Sequence, residues 1–390
     1  RDRDTAHSER ESGRGRERVG EGEREREVRM LRVCVLLVLL VAVVGGSVAY
    51  GAAVVDTLGV AQRERMMHVQ TTHVDLLFME FQHTHGKYYS TPQEKLKRQL
   101  IFEDTISTIR AHNERFLAGK ETWYMGVNKF SDITEEEFAS THLGAAPEKC
   151  SATQEWSSPV SAPHRKMSSI PVPPNRSWRL LGAVSPVKDQ GNCGSCWTFS
   201  TTGMLESAYF IKHGGAFWDL SEQQLIDCAG NFENNGCNGG LPSNAFEYIH
   251  YAKGLQANET YPYAAKDGTC KFNPSKVVLT VEESFNITRG DENELVQAIG
   301  WVQPVSLAYQ VINGFKNYAG GVYSSDHCGS GPGDVNHAVL AVGYGELNGL
   351  PFYEIKNSWG TEWGDQGFFL MERGVNMCAC SMCNSYAFTN

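Results

Sequence analysis

The chain has 390 residues, of which 41% are hydrophobic and 21% charged, a composition that is typical of a folded globular protein and excludes wholesale disorder and collagen-like repeats. Its net charge of −10, from 35 basic against 45 acidic residues, disfavours nucleic acid as the main partner, because phosphate binding needs a basic face. The length allows two or three domains, and the meaning of the eleven cysteines depends on their positions.

The N-terminal part of the chain has two distinct compositions. Residues 1–29 are almost all charged residues and glycine, and such a segment cannot bury enough apolar surface to order itself. We interpret it as sequence upstream of a true start at Met30, with a real disordered tail as the alternative. The apolar run over residues 33–44 is followed by small residues, which predicts a secretory signal peptide over residues 30–49. A signal anchor that extends to Val55 is the alternative.

The following segment changes from helical periodicity to the composition of a linker. From about residue 74 to residue 141, apolar residues recur at steps of three and four among charged ones, which predicts helices. Residues 145–174 are rich in Pro, Ser and Ala and contain the isolated Cys150, so they are expected to form an exposed linker open to proteolysis. From Ser177 onward Gly, Trp and Cys are frequent, and this part is expected to be the catalytic body.

The densest chemical signal is QGNCGSCW, residues 190–197. Cys196 stands just before a segment with one broad apolar helical face, so its thiol is expected at a helix N-terminus. There the positive end of the helix dipole favours the thiolate, which is the reactive form. Gln190 could offer side-chain N–H donors to an oxyanion. On this stretch alone, a Cys196 that forms half of a disulfide is the alternative.

A second cluster lies far downstream. His337 lies near the start of an apolar run over residues 335–344 that predicts a buried strand, and Asn357 lies in the stretch KNSWGTEWG. Asn357 could accept the ring N–H of His337 and fix the tautomer that leaves the other ring nitrogen facing a thiol. Trp359 would shield this hydrogen bond from water. Taken alone, the histidine would be structural and the asparagine a turn residue.

The combination of these clusters resembles the papain-like cysteine proteases. In that family CGSCW is followed by a histidine and an asparagine after about 130–150 residues. Here His337 lies 141 residues after Cys196, while Asn357, at 161 residues, falls slightly beyond that range. The resemblance covers about residue 70 to residue 390.

The resemblance implies both a fold and a set of catalytic roles. The fold would be α+β, the papain-like two-lobe fold, in which an active-site cleft separates a helical lobe (about 181–285) from a β-rich lobe (about 286–390). Cys196 would be the nucleophile and His337 the base and then the acid. Asn357 would orient the histidine, and Gln190 would be an oxyanion donor. The thiol and the imidazole would form a thiolate–imidazolium pair, since each charge favours the ionised form of the other.

The segment before the linker resembles the propeptides of one large class within the family. The residues that match the helical motif are Glu94, Arg98, Phe102, Ile109 and Asn113, and Thr105 stands where the class has an asparagine. The second motif is matched in full by Gly126, Asn128, Phe130 and Asp132. Residues 50–145 are therefore expected to be a helical inhibitory prosegment that runs through the cleft in reverse. A free-standing helical domain is the alternative.

Residues 146–153, APEKCSAT, resemble the mini-chain of the cathepsin H-like members of the family. In those enzymes the mini-chain stays disulfide-bonded to the body and its C-terminal carboxylate enters the cleft. Thr153 would then bind the α-amino group of a substrate and favour aminopeptidase activity. Residues 154–169 are expected to be an excised linker and 170–390 the peptidase domain. An ordinary endopeptidase, in which Cys150 merely tethers a linker, is the alternative.

The resemblance also implies disulfides, subsites and glycosylation sites. The implied disulfides are Cys193–Cys237, Cys228–Cys270, Cys328–Cys378 and Cys150–Cys383, with Cys380 left over and a swap of Cys150 to Cys380 left open. Gly239 and Gly240 would pair with the substrate backbone. The other substrate-binding residues would be Trp359 and, around an apolar second subsite, Leu241, Pro242, Ala308, Val335, Ala338 and Cys383. Sequons occur at Asn175, Asn258 and Asn286.

The sequence therefore predicts a cysteine peptidase of the secretory pathway, lysosomal or extracellular, that is made as a zymogen. No cofactor or metal is expected, since the sequence holds no metal cluster, phosphate loop or dinucleotide motif. The expected partners are peptide and protein substrates, the prosegment itself and cystatin-type inhibitors. We expect a monomer without a nucleic-acid partner or a stable membrane anchor. A non-catalytic, disulfide-stabilised binding protein is the alternative of a different class.

Overall fold

The computed structural model describes residues 59–145, 162–166 and 169–390. The segments predicted to be an N-terminal tail, a signal peptide and a mini-chain lie outside these residues, and so does Cys150. Within the described ranges, no helix combines the length and the apolar character that crossing a membrane would need.

The prosegment is helical, as its periodicity predicts. Its helices are α1 (Val60–Thr71), α2 (Val74–Thr84), α3 (Pro92–Leu117) and α4 (Glu135–His142). Helix α3 begins where the hydroxyl of Thr91 accepts the N–H of Glu94, and Pro92 suits its first turn because no N–H partner is needed there. At the start of α4, Thr134 and Glu137 form a capping box, in which each side chain accepts the backbone N–H of the other.

Side chains of the propeptide motifs hold α3 against the segment that follows it. Arg98 pairs with Glu137 of α4 at 2.6 Å. Asn113 donates to the carbonyl of Met125 at 2.9 Å and accepts the N–H of the same residue at 2.8 Å. Both halves of this buried amide are satisfied, which fixes strand β1 (Trp123–Met125) beside the helix.

The first lobe of the protease body is built around one buried helix. Two short elements precede it in the chain, α5 (Pro163–Lys166) and β2 (Arg176–Ser177). The elements of the lobe are α6 (Cys196–His213), α7 (Glu222–Cys228), α8 (Pro242–Ala252), β3 (Leu255–Gln256) and β4 (Val277–Leu279). Residues 196–208 of α6 are all buried, because other elements of both lobes pack around this helix. The Cys196 end of α6 therefore lies where the two lobes meet.

The second lobe is mainly a sheet. Its elements are β5 (Val281–Asn286), α9 (Glu292–Trp301), β6 (Val305–Tyr309), β7 (Tyr318–Tyr323), β8 (His337–Leu347), β9 (Leu350–Lys356), β10 (Phe368–Glu372) and β11 (Cys383–Thr389). Among the described residues the strand order is β1-β7-β10-β9-β8-β6-β11-β5, with β2 paired to β8. The β7–β10 pair is parallel. The prosegment thus supplies β1, a strand at one edge of the protease sheet.

The cysteines separate into bonded and free groups. The structure contains the pairs Cys193–Cys237, Cys228–Cys270 and Cys328–Cys378. Cys383 is also disulfide-bonded, whereas Cys196 and Cys380 are free and buried. Helical and β-rich lobes preceded by a helical prosegment are the α+β papain-like fold that the sequence predicts, so that prediction is confirmed.

Candidate active site

Cys196 occupies the position that the sequence predicts, at the first residue of α6. Its side chain is fully buried, and its Sγ accepts the backbone N–H of Ala338 at 3.4 Å. Ala338 is the second residue of β8, directly after His337. This contact across the lobes brings the thiol next to the histidine, although 141 residues separate them in the chain.

The histidine and the asparagine meet at the start of β8. His337 Nε2 is 2.9 Å from Asn357 Oδ1, so the amide oxygen accepts the ring N–H. His337 Nδ1 has no hydrogen-bond partner in the described part of the chain, which leaves it available for a thiol. The ring of Trp359 lies 4.7 Å from the histidine ring and is fully buried. It therefore covers the histidine, as the sequence predicts.

Hydrogen bonds with four residues fix the position of Gln190. Its Oε1 accepts the hydroxyl of Ser358 at 2.7 Å, and its backbone carbonyl accepts the hydroxyl of Tyr263 at 2.6 Å. Its Nε2 donates to the carbonyl of His142 at 3.0 Å and to that of Cys193 at 2.9 Å. The donor expected to face an oxyanion is therefore occupied by a carbonyl of the prosegment.

The prosegment passes through the cleft in an extended conformation immediately after α4. The carbonyl of Gly144 accepts the N–H of Gly240 at 2.9 Å, and the N–H of Ala145 donates to the carbonyl of Asn336 at 3.0 Å. Ala145 and Gly240 form a parallel bridge. Gly240, predicted to pair with a substrate backbone, thus pairs here with the chain's own prosegment.

Only glycine fits at position 144. A Cβ on Gly144 would lie 1.9 Å from the carbonyl oxygen of Gly194. Because this oxygen belongs to the backbone, relieving the clash would require the main chain to shift. Gly194 is itself constrained, because a Cβ there would lie 2.4 Å from the carbonyl of Cys237. Two glycines therefore allow the prosegment and the loop before Cys196 to approach closely.

Burial determines the charge state of the covered site. Burial raises the pKa of the Cys196 thiol to about 11, although nearby backbone N–H groups act in the opposite direction. Burial also lowers the pKa of His337 to about 4, against the effect of its hydrogen bond to Asn357. Both groups are therefore neutral while the cleft is covered, because a charge without water is costly. A thiolate–imidazolium pair in the open enzyme stays a prediction.

The residues predicted for the apolar second subsite lie on neighbouring elements. Cys383 is opposite Ala308 in the β11–β6 pair, and Ala308 is opposite Ala338 in the β6–β8 pair. Leu241 and Pro242 follow Gly240 at the start of α8. Val335 is buried just before β8, as are Leu241, Ala308 and Ala338, whereas Cys383 is partly buried. Thr153, expected to add a carboxylate here, lies outside the described residues.

The predicted sequons differ in their surroundings. Asn175 is exposed. The Asn258 amide nitrogen donates to Asp219 at 2.9 Å and its oxygen accepts the N–H of Tyr263 at 2.9 Å. Asn286 ends β5 and lies opposite Ser385. Occupancy by glycans stays a prediction for all of them. In the described part of the chain, no cluster of His, Cys, Asp and Glu is arranged to hold a metal ion.

Three functional contacts were missed by sequence reasoning. They are the His142 carbonyl at Gln190, the Asn336 carbonyl at Ala145 and the Ser358 hydroxyl at Gln190. Two of them are backbone groups, which carry no signature in a sequence. The available signal was a glycine, Gly144, between a helix-forming segment and a linker rich in proline.

The chain matches the sequence models of two protein families. They are described as "Papain family cysteine protease", matched over residues 172–388, and "Cathepsin propeptide inhibitor domain (I29)", matched over residues 78–138. Thiol protease aleurain of Arabidopsis thaliana is 52% identical over 81% of this chain and 85% of that protein. Pro-cathepsin H of Bos taurus is 47% identical over 79% of this chain and 88% of that protein.

A solved structure, digestive procathepsin L 3 of the Tenebrio molitor larval midgut, is 37% identical with a TM-score of 0.73. The match covers 82% of this chain and 100% of that chain. The residues around CGSCW and the prosegment motifs thus led to the correct family. The chain belongs to the papain family of cysteine proteases and carries the family's propeptide inhibitor domain ahead of the protease domain, as a zymogen.

Proposed function

We propose that Cys196, His337, Asn357 and Gln190 form the catalytic machinery of this peptidase, and that the mature enzyme acts mainly as an aminopeptidase with some endopeptidase activity. One observation carries the assignment of the machinery. The His142 carbonyl of the chain's own prosegment accepts a hydrogen bond from Gln190, and the backbone N–H of Gly144, two residues further on, acts on the buried Cys196 thiol. A peptide carbonyl therefore fits the position in which a scissile carbonyl would be attacked.

The geometry supports an acyl-transfer mechanism. When the cleft opens, His337 takes the thiol proton, and Sγ of Cys196 forms a bond to the scissile carbonyl carbon. The carbonyl oxygen becomes an oxyanion that accepts N–H donors from Gln190 and from the backbone of Cys196. His337 then gives its proton to the leaving amine as the C–N bond breaks. Water hydrolyses the resulting thioester and regenerates the thiol.

The direction of the prosegment explains why it inhibits rather than reacts. Its chain runs from the Gln190 donor at His142 toward Gly240 at Ala145, and the bridge to Gly240 is parallel. A productive substrate would run antiparallel to Gly240 as an added strand. The carbonyl at Gln190 is therefore presented with its leaving group on the wrong side.

The aminopeptidase proposal rests on where the mini-chain begins and where its disulfide partner lies. Residues 146–153 follow directly after Ala145, which is bonded to Asn336 in the cleft. Cys383, the proposed partner of Cys150, is disulfide-bonded and lies beside Ala308 in the predicted subsite. Cys380 is free, which favours Cys383 over Cys380 as the partner. A mini-chain tethered here would bring the Thr153 carboxylate to the non-primed end of the cleft.

The remaining proposals concern where the protein works and what it meets. We infer a secretory route to a lysosome or to the extracellular space from the predicted signal peptide and from the sequons. Cystatin-type inhibitors are proposed as partners because they would compete for the same cleft as the prosegment. A monomer is proposed, because neither lobe needs a second copy to complete the catalytic machinery.

A paired assay of the acid-activated protein tests the aminopeptidase activity. One substrate is an arginyl arylamide with a free α-amine, and the other is an N-blocked dipeptidyl arylamide. We expect at least a tenfold higher kcat/KM for the free amine, because a carboxylate would bind the α-ammonium group by a charge-assisted hydrogen bond. The C150S variant should lose this preference, and the C380A variant should keep it.

A preference of the unsubstituted enzyme for the blocked substrate would contradict the aminopeptidase proposal and leave an ordinary endopeptidase.

Stoichiometric labelling by an epoxide that alkylates active-site thiols tests the catalytic machinery separately. Labelling should disappear in C196A. If the unsubstituted enzyme were labelled at another residue, the assignment of Cys196 would be wrong.

A further inference from the structure

A short stretch of the predicted linker is packed on the protease body. Residues 162–166 are described between two segments that are not, and Ala162 and His164 are fully buried or nearly so. Helix α5 is only four residues long, and its N–H groups at Arg165 and Lys166 bond back to the Ala162 carbonyl. One turn cannot hold itself together, since helix nucleation is unfavourable. Contacts with the body must therefore fix it.

His164 makes the deepest of these contacts. Its Nδ1 is 2.7 Å from the hydroxyl of Tyr386 on β11, and its ring meets the Tyr386 ring edge-on at 5.5 Å. Its Nε2 lies 3.6 Å from the carboxylate of Glu294 on α9. The hydrogen bond to Tyr386 makes this a specific contact, because an imidazole buried without any partner would be costly.

Arg165 adds an ion pair to the same carboxylate. Its Nε donates to Glu294 Oε1 at 2.7 Å, and its Nη2 lies 3.4 Å from both the Asn286 carbonyl and the Thr288 hydroxyl. Glu294 is positioned by the body itself, since its Oε2 accepts the N–H of Thr288 at 2.6 Å. The hydrogen bond from Arg165 and the nearby ring of His164 hold the pKa of Glu294 well below its ordinary value, despite partial burial. The carboxylate is thus ionised and aimed at the linker.

We propose that Glu294, Tyr386, Thr288 and the Asn286 carbonyl form a docking site for a short peptide with the sequence small residue–Pro–His–Arg, which the linker segment 162–166 occupies in the zymogen. Within the described residues, the contacts given above for the prosegment in the cleft involve Gln190, Asn336 and Gly240 and none of these body residues. The site therefore holds the linker independently of the inhibitory segment around Gly144. Release of the prosegment from the cleft would leave this segment bound, and cleavage on either side of it would leave it on the enzyme.

Independence of the two contacts is testable by hydrogen exchange in a zymogen that cannot process itself. In the C196A zymogen, a peptide covering residues 162–166 should be protected. H164A and E294Q should each raise its exchange rate at least tenfold, while protection at residues 143–145 in the cleft stays unchanged. K166A is the matched control, because Lys166 is exposed on the same short helix. Unchanged exchange in H164A and E294Q, or loss of protection at both sites together, would overturn the proposal.

A second measurement does not depend on the folding of E294Q. The C196A zymogen that also carries H164A and R165A should present an empty site. A labelled peptide with the sequence VSAPHRKMS, residues 160–168, should then bind it saturably. Replacement of the peptide arginine by alanine should weaken binding at least tenfold, whereas replacement of the peptide lysine should not. Absence of saturable binding would overturn the proposal, and because neither readout uses peptidase activity, this result would not touch the proposed catalytic function.

Discussion

His142, the last residue of α4, has a buried imidazole ring packed against aromatic side chains. Its ring stacks on Phe138 at 5.0 Å and meets Phe130 edge-on at 4.8 Å. Burial lowers its pKa from 6.5 to about 4, the charge of Lys129 acts in the same direction, and that of Asp189 opposes both. The imidazole is therefore neutral in the docked prosegment. In a released prosegment it would regain water and its ordinary pKa.

This difference in the pKa of His142 predicts that the prosegment is released from the cleft as the pH falls. Because the folded pKa is depressed, docking is fully favoured above pH 6.5 and weakens as the pH falls toward 4, by about 3 kcal/mol at most. H142Q should flatten this dependence. The measurement is the fraction of full-length zymogen whose Cys196 reacts with an epoxide between pH 7 and 4. H83Q, at an exposed position of the same prosegment, is the control, and identical profiles for H142Q and the unsubstituted zymogen would refute the role of His142.

At the scale of an element, the extended segment from His142 to Ala145 depends on its glycine. A Cβ at Gly144 would meet the Gly194 carbonyl oxygen at 1.9 Å, so G144A must push the segment out of the cleft. Overpacking of this kind costs about 1–3 kcal/mol, which is on the order of a tenfold to hundredfold loss of docking. We therefore expect faster epoxide labelling of the G144A zymogen at neutral pH.

The glycine control is G59A in the same prosegment, where a Cβ would lie 3.6 Å from a flexible side chain. Its labelling rate should match that of the unsubstituted zymogen. Equal rates for G144A and G59A would show that the segment can shift without opening the cleft.

The elements themselves were largely predictable. The helical prosegment, the helix that starts at Cys196 and the strand that starts at His337 all follow from local apolar periodicity. The short helix α5 is not predicted, and the prediction of an exposed linker is wrong for Ala162 and His164, which are buried. Its stability comes from Glu294 and Tyr386, more than a hundred residues away, so no local pattern could indicate it.

At the scale of the whole molecule, a buried charge cluster supports the junction between the lobes. Lys188 Nζ lies 2.8 Å from carboxylate oxygens of both Glu206 and Glu222, which are almost completely buried. Lys356, at the end of β9 next to Asn357, donates to the hydroxyl of Ser185 at 2.9 Å. Burial lowers the pKa of Lys356 to about 8, and the charge of Glu206 opposes this shift. The cluster links the helical lobe to the strand that leads to Asn357.

Removing one charge from this cluster should destabilise the molecule strongly. E206Q removes one of three carboxylates within 2.8 Å of Lys188, so we expect a cost below the about 3–5 kcal/mol of breaking an isolated buried pair. We expect the zymogen with both E206Q and C196A to unfold at a clearly lower urea concentration than the zymogen with C196A alone. E282Q is the control, because its exposed pair with Lys212 at 3.5 Å should contribute less than about 1 kcal/mol. Similar midpoints for E206Q and E282Q would show that the cluster is not needed.

The sequence by itself determined the family, the fold class and the identity of the residues proposed for catalysis. Residue types and spacing indicate the chemistry of three local patterns. These are CGSCW, the apolar strand after His337 and the NSW stretch at Asn357. Only the tertiary structure decided which prosegment atoms cover the cleft, that burial favours the neutral forms of Cys196 and His337, and that residues 162–166 contact Glu294 and Tyr386. These features depend on backbone carbonyls, on burial and on contacts between distant segments, as in the approach of His142 to Gln190, which no local pattern in a sequence encodes.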